Sequence, residues 1–125
     1  MIRCLRAQLP TERPTELIIT DIVEGTGDGA QNGDTVLVNY VGVRSVDGVE
    51  FDNSYDRGQP LEVSLGSGGV IQGWDLGLVG VKTGGQRQLD MPAELAYGDA
   101  DRGTIRPGDA LTFVIEVVSI TPAGE

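Results

Sequence analysis

Histidine is absent from this 125-residue chain, and cysteine occurs once, at Cys4. Without an imidazole, the Ser-His-Asp and Cys-His arrangements and histidine general bases are excluded. The common zinc sites lose their nitrogen ligand as well. One cysteine can form neither an internal disulfide nor a cysteine cluster, so Cys4 reads as an incidental thiol and a reducing cytoplasm is the expected compartment. Basic residues are also scarce: nine against 19 acidic ones, for a net charge of −10. They are scattered, and an anionic surface repels phosphate backbones, so no nucleic-acid partner is expected. No run approaches the ~18–20 apolar residues that span a bilayer, so no membrane partner is expected either. Residues 1–15 carry Arg3, Arg6 and Arg13 with no apolar block behind them, which does not make a secretory signal. Only six aromatic residues occur: Tyr40, Phe51, Tyr55, Trp74, Tyr97 and Phe113.

What is present is a succession of short alternating segments separated by glycine, proline and acids. Residues 1–15, with Pro10 and Pro14, read as an extended or mobile arm. Residues 17–23 read as a first strand. In residues 35–43, Val36, Val38 and Tyr40 share one face while Leu37, Asn39 and Val41 share the other, which predicts a long central strand. Asp47-Gly48 is a turn signal, and residues 49–51 form the return strand. Polar turn chemistry over 52–60 interrupts the sheet, and Leu61, Val63 and Leu65 resume it. In residues 70–78, Val70, Ile71, Trp74 and Leu78 fall on one face at helical spacing, predicting an amphipathic helix of about two to three turns. Gly73 and Gly77 weaken that helix, and their use is a close approach of helix backbone to sheet. Residues 86–91 alternate again, Pro92 opens a single helical turn over 92–97, and residues 111–120 form the last strand.

This pattern has no strand-helix-strand rhythm, no repeat and no interdomain linker. It predicts an α+β domain: a half-open antiparallel sheet of five or six strands wrapped around one short α-helix. The domain spans 16–121, between the arm and a short tail at 122–125. Gly25-Thr26-Gly27-Asp28-Gly29-Ala30 matches a dinucleotide fingerprint in letters only, because a strand and not a helix follows it. Asp28, Asn32 and Asp34 hint at calcium, but an EF-hand loop beginning at Asp28 would need an oxygen ligand at Ala30 and glutamate at Asn39. Close acid pairs such as Asp99 and Asp101 fit solvated loops better than a glycosidase pair. Aromatics gathered around one helix point instead to a lined apolar pocket.

Asn39-Tyr40-Val41-Gly42, Phe51-Asp52-Asn53-Ser54, Val70-Ile71-Gln72-Gly73-Trp74 and Ala96-Tyr97-Gly98 resemble, in order and spacing, the signatures of the FKBP-type peptidyl-prolyl cis–trans isomerases. The resemblance runs from about Leu17 to Ile120. It implies a pocket for the proline ring of Xaa-Pro segments in folding proteins, with Trp74 as floor and Tyr40, Phe51, Val70, Ile71 and Phe113 as walls. It implies that the Ile71 N–H meets a ligand carbonyl, that Asp52 and Tyr97 make polar rim contacts, and that Arg57 pairs near Asp52. Ile105 would sit on an overhanging loop, and Leu61 would form part of the outer wall. Asn39, Leu61 and Val63 depart from the commoner histidine and aromatics of the family, and the loop 99–107 is more polar than usual. The resemblance implies a monomeric enzyme without cofactor or metal, inhibited by the macrolides tacrolimus and rapamycin. A non-catalytic module that docks proline-containing partners, or a receptor for small apolar ligands, would use the same pocket.

Overall fold

A computed structural model describes residues 14–27, 29–54, 58–66, 70–98, 105 and 108–122. Arg57, most of the arm and most of the loop after Gly98 lie outside the described residues. Six strands form one antiparallel sheet: β1 (Ile18–Val23), β2 (Thr35–Arg44), β3 (Glu50–Asn53), β4 (Leu61–Ser64), β5 (Gln86–Met91) and β6 (Leu111–Thr121). The sheet is accompanied by an α-helix, α1 (Gln72–Gly77), and a 3-10 turn, Ala93–Leu95, and Ser54 has helical backbone directly after β3. The expected architecture is therefore present.

The order in the sheet is β1-β5-β6-β2-β3, with β4 also pairing β2. Strand β6 lies between β5 and β2, and its Leu111, Phe113, Ile115 and Val117 are all at most 3% exposed. On its other edge, β2 has two partners in succession. Thr35 to Val38 pair with β4, and Val41 to Val43 pair with β3. The sheet thus changes its edge partner at Asn39 and Tyr40, which becomes important at the site.

Two elements differ from the sequence reading. The return strand β3 runs on to Asn53, although asparagine and aspartate favour turns. Asp52 pairs across from Gly42 and Asn53 across from Val41, and both side chains find partners, Asp52 with the Tyr40 hydroxyl and Asn53 with Glu50. The helix is shorter than two to three turns. It begins at Gln72, with Ile71 extended at φ −59° and ψ 150°, so Val70 and Ile71 precede it. Ile71 is β-branched, offers no capping oxygen, and still accepts the first helical bonds from Trp74 and Asp75 through its carbonyl.

So short a helix owes little to propensity and most of its stability to packing. Trp74 and Leu78 are buried on one side of it. Its glycines press against β5: a Cβ at Gly77 would lie 2.6 Å from Leu89 Cδ2, and one at Gly73 would lie 2.7 Å from Met91 Cε. At its C-terminus the carbonyls are capped from the sheet. Arg87 of β5 donates through Nη1 to Gly77 O and Val79 O, each at 2.9 Å, and through Nε to Asp21 at 2.6 Å. The last turn of the helix has no basic residue of its own, so this guanidinium fulfils the role a C-terminal lysine or arginine usually plays.

Candidate active site

The concave face of the sheet and the helix enclose a cleft of about 360 Å³. Trp74, Tyr40 and Phe113 line it with rings; Leu61, Val70 and Ile71 line it with aliphatic groups. Asp52 and Tyr97 add the polar lining. These eight residues come from β2, β3, β4, β6, the helix and its approach, and the turn after Pro92. Their separation along the chain is large, yet the alternation of each strand aims them at one point.

The rings form a connected set of edge-on contacts. Tyr40 meets Trp74 at a centroid distance of 5.0 Å and 84°, and Trp74 meets Phe113 at 5.3 Å and 87°. Phe113 meets Phe51 at 5.5 Å and 89°. Edge-to-face geometry of this kind is the favoured one for aromatic quadrupoles. Gly42 makes the last contact possible. A Cβ there would stand 2.8 Å from both Phe113 Cε1 and Phe51 Cζ, so the two rings occupy the space above a residue without a side chain. Trp74 is 3% exposed, and its indole N–H has no acceptor among the described residues. Buried donors are normally satisfied, and here the indole is surrounded by ring edges and faces instead.

Polar groups are few and directed. The Tyr40 hydroxyl donates to Asp52 Oδ2 at 2.5 Å. Tyr97 follows the 3-10 turn, whose neck is closed by Gly98 N–H donating to Ala93 O at 2.7 Å and Gly108 N–H donating to Gly98 O at 2.9 Å. Phe51 is half-buried one ring beyond the cleft, against Phe113. Ile105 is 5% exposed and belongs to the same buried cluster, outside the lining of the cleft. Arg57 lies outside the described residues.

The residues that the sequence reading passed over are Ser54 and Gly42. Ser54 is fully buried, accepts from the Tyr40 backbone N–H at 2.9 Å and donates to Asn39 Oδ1 at 2.9 Å. Ser54 closes the quoted motif Phe51-Asp52-Asn53-Ser54, but a motif does not say which backbone amide its hydroxyl meets. Gly42 stands in the quoted motif, but a motif does not say which rings a glycine admits.

A second cleft, of about 480 Å³, lies among the loops and is lined by Thr26, Gly29, Gln31, Asn32, Asp34 and Thr83, among others. It is larger but has no aromatic ring in its wall, and Ile120 and Pro122 are its only sizeable apolar groups, so it is the more polar of the two. Strand β2 follows the glycine loop there, and the phosphate-binding helix of a dinucleotide site has no counterpart. Among the described residues no three potential metal-binding side chains cluster, and no helix is long and apolar enough to cross a membrane.

Comparison with known proteins agrees with this geometry. Residues 27–118 match the sequence model of a family described as FKBP-type peptidyl-prolyl cis-trans isomerase. An FK506-binding protein of Streptomyces anulatus is 53% identical over 111 residues, covering 87% of this chain and 90% of its own length. A probable FK506-binding protein of Corynebacterium glutamicum is 45% identical, covering 85% of this chain and 88% of its own. The crystal structure of FkpA from Escherichia coli superposes with a TM-score of 0.76 at 45% identity, over 86% of this chain and 49% of that one. That of AtFKBP13 superposes with a TM-score of 0.77 at 39% identity, over 86% of this chain and 94% of that one.

Proposed function

Because the chain belongs to the FKBP-type peptidyl-prolyl cis-trans isomerases and is an enzyme of that class, we propose that its aromatic cleft takes Xaa-Pro segments of folding proteins and speeds rotation of their amide without a covalent intermediate. The observation that carries this reading is a ring-lined cleft with only a carboxylate and phenol hydroxyls as polar groups.

Rotation about Xaa-Pro opposes amide resonance, with a barrier of ~18–20 kcal/mol. Unaided, it takes tens to hundreds of seconds. No bond between heavy atoms forms or breaks, so a chain without histidine is not handicapped. The planar amide has a larger dipole than the twisted one, which has lost resonance. An apolar cavity therefore penalises the planar ground state more, and this difference lowers the barrier. In the proposed roles, Trp74 is the floor under the proline ring, Tyr40 and Phe113 are apolar walls, and Phe51 backs the wall by packing edge-on against Phe113. Val70 and Leu61 close the outer side. Ile71 precedes the helical ladder, and its N–H is offered to a substrate carbonyl. Tyr97 holds the peptide at the rim, and Asp52, anchored on Tyr40, favours the twisted amide electrostatically. The net charge of −10 and the single cysteine support a monomer at work in the cytoplasm. The same cleft suits tacrolimus and rapamycin as competing ligands.

The test follows exchange of a peptide with a slow Xaa-Pro bond by NMR. Substoichiometric protein should accelerate exchange, and saturating tacrolimus should abolish the effect. No acceleration at stoichiometric protein would overturn catalysis and leave a binding module. Activity that survives saturating tacrolimus would show that the cleft has been misassigned.

A further inference from the structure

We propose that Ser54 is a positioning residue for the isomerisation, holding Tyr40 and, through it, Asp52; this rests on the function proposed above. The need for it arises where β2 changes partner. Val38 pairs with Leu61 of β4 and Val41 with Asn53 of β3, so among the described residues no ladder pair on that edge falls at Asn39 or Tyr40. The Tyr40 N–H points into the gap. A buried amide without an acceptor is strongly unfavourable and would pull the strand out of line. Ser54 fills the gap, with its hydroxyl accepting from Tyr40 N–H and donating to Asn39 Oδ1.

Both functions of the hydroxyl are used, and the residue is fully buried. Alanine would leave the amide unsatisfied, and threonine would bring a methyl group into a closed space. The same short segment grips the tyrosine twice: Ser54 binds its backbone N–H and Asp52 binds its phenol. Between these two holds, the ring stands edge-on to Trp74. The direction of the ring and the place of the Asp52 carboxylate are thus set from one stretch, Asp52-Asn53-Ser54. Ser54 itself is not in the lining of the cleft, so it acts through Tyr40 and does not touch the substrate.

The substitution Ser54→Ala should lower kcat about five- to tenfold while KM stays within about twofold, because the apolar floor and walls remain. The decisive comparison is with Tyr40→Phe, which already lacks the hydroxyl that holds Asp52. In that background, Ser54→Ala should reduce kcat by less than about twofold. A merely structural role would give the same factor in both backgrounds, and that result would overturn the proposal. A second reading needs no catalysis: in the peptide-free protein, the NMR signals of the Tyr40 ring and the Trp74 indole should shift in Ser54→Ala. If wild-type protein fails to accelerate exchange, the proposed function falls and these signals alone decide on Ser54; unmoved signals refute it. Should Ser54→Ala fail to fold, Asn39→Ala removes only the acceptor of the serine hydroxyl. It should then reduce kcat about two- to threefold, and wild-type kcat in that variant overturns the proposal.

Discussion

Replacing Gly77 with alanine sets two effects of opposite sign against each other. Alanine is the better helix former by up to about 1 kcal/mol, and by about half of that at the last residue of a helix. On propensity alone, Gly77→Ala should stabilise the protein. The tertiary contacts say otherwise. The new Cβ would stand 2.6 Å from Leu89 Cδ2 and 2.7 Å from Cδ1. Leu89 is 0% exposed and pairs across the sheet with Phe113, so it has no free volume to retreat into. Overpacking of a filled core costs about 1–3 kcal/mol, so the net expectation is a loss of about 1–2 kcal/mol. For a chain of this size that lowers the midpoint of thermal unfolding by roughly 3–8 °C. The displacement should also reach the site, because α1 carries Trp74 three residues earlier. Urea unfolding followed by Trp74 emission reads the stability, and the peptide exchange assay reads the site. A variant as stable as wild type, or more so, would refute the argument that close approach to β5 is the reason for this glycine.

Three further outcomes follow from the same contacts. Arg87→Met should cost about 2–4 kcal/mol in urea unfolding, since it removes two bonds from a nearly buried guanidinium to Gly77 O and Val79 O, while the half-exposed Asp21 partner adds little; a loss under about 0.5 kcal/mol would show that the helix end is satisfied otherwise. Gly42→Ala should destabilise by about 1–3 kcal/mol and impair exchange of the peptide as well, because its Cβ would meet the Phe51 and Phe113 rings at 2.8 Å; unaltered activity and stability would mean that the rings move aside freely. Binding of a proline-mimicking ligand should change the emission of Trp74, the only tryptophan and a buried one, and an unchanged spectrum at saturation would contradict its place beneath the ligand.

Much of the molecule is legible in the sequence. The alternation at Val36, Val38 and Tyr40 and at Leu111, Phe113 and Ile115 names the buried face correctly, since burial on one side of a strand repeats every second residue. Trp74 and Leu78 fall on the core side of a helix by the same kind of periodicity, and Gly73 and Gly77, lacking side chains, read as a close approach once a sheet wraps that helix. The helix start is not legible there, because Val70 and Ile71 continue the apolar stripe. Only the extended backbone of Ile71 shows that the stripe crosses from a loop into the helix. The end of β3 is hidden for the complementary reason: Asp52 and Asn53 read as turn residues until their partners Tyr40 and Glu50 are known.

The sequence by itself determined the alternating faces of the strands, the apolar stripe around Trp74, the aromatic inventory, and the exclusion of imidazole chemistry, because all of these depend on residue type and local spacing. The tertiary structure alone decided that Gly42 seats two rings, that Arg87 of β5 caps the helix, and that Ser54 fills the gap where β2 exchanges β4 for β3. Each of those contacts joins residues from different elements, and a hydrogen bond or a close approach between them is set by how the chain returns to itself, which no local period encodes.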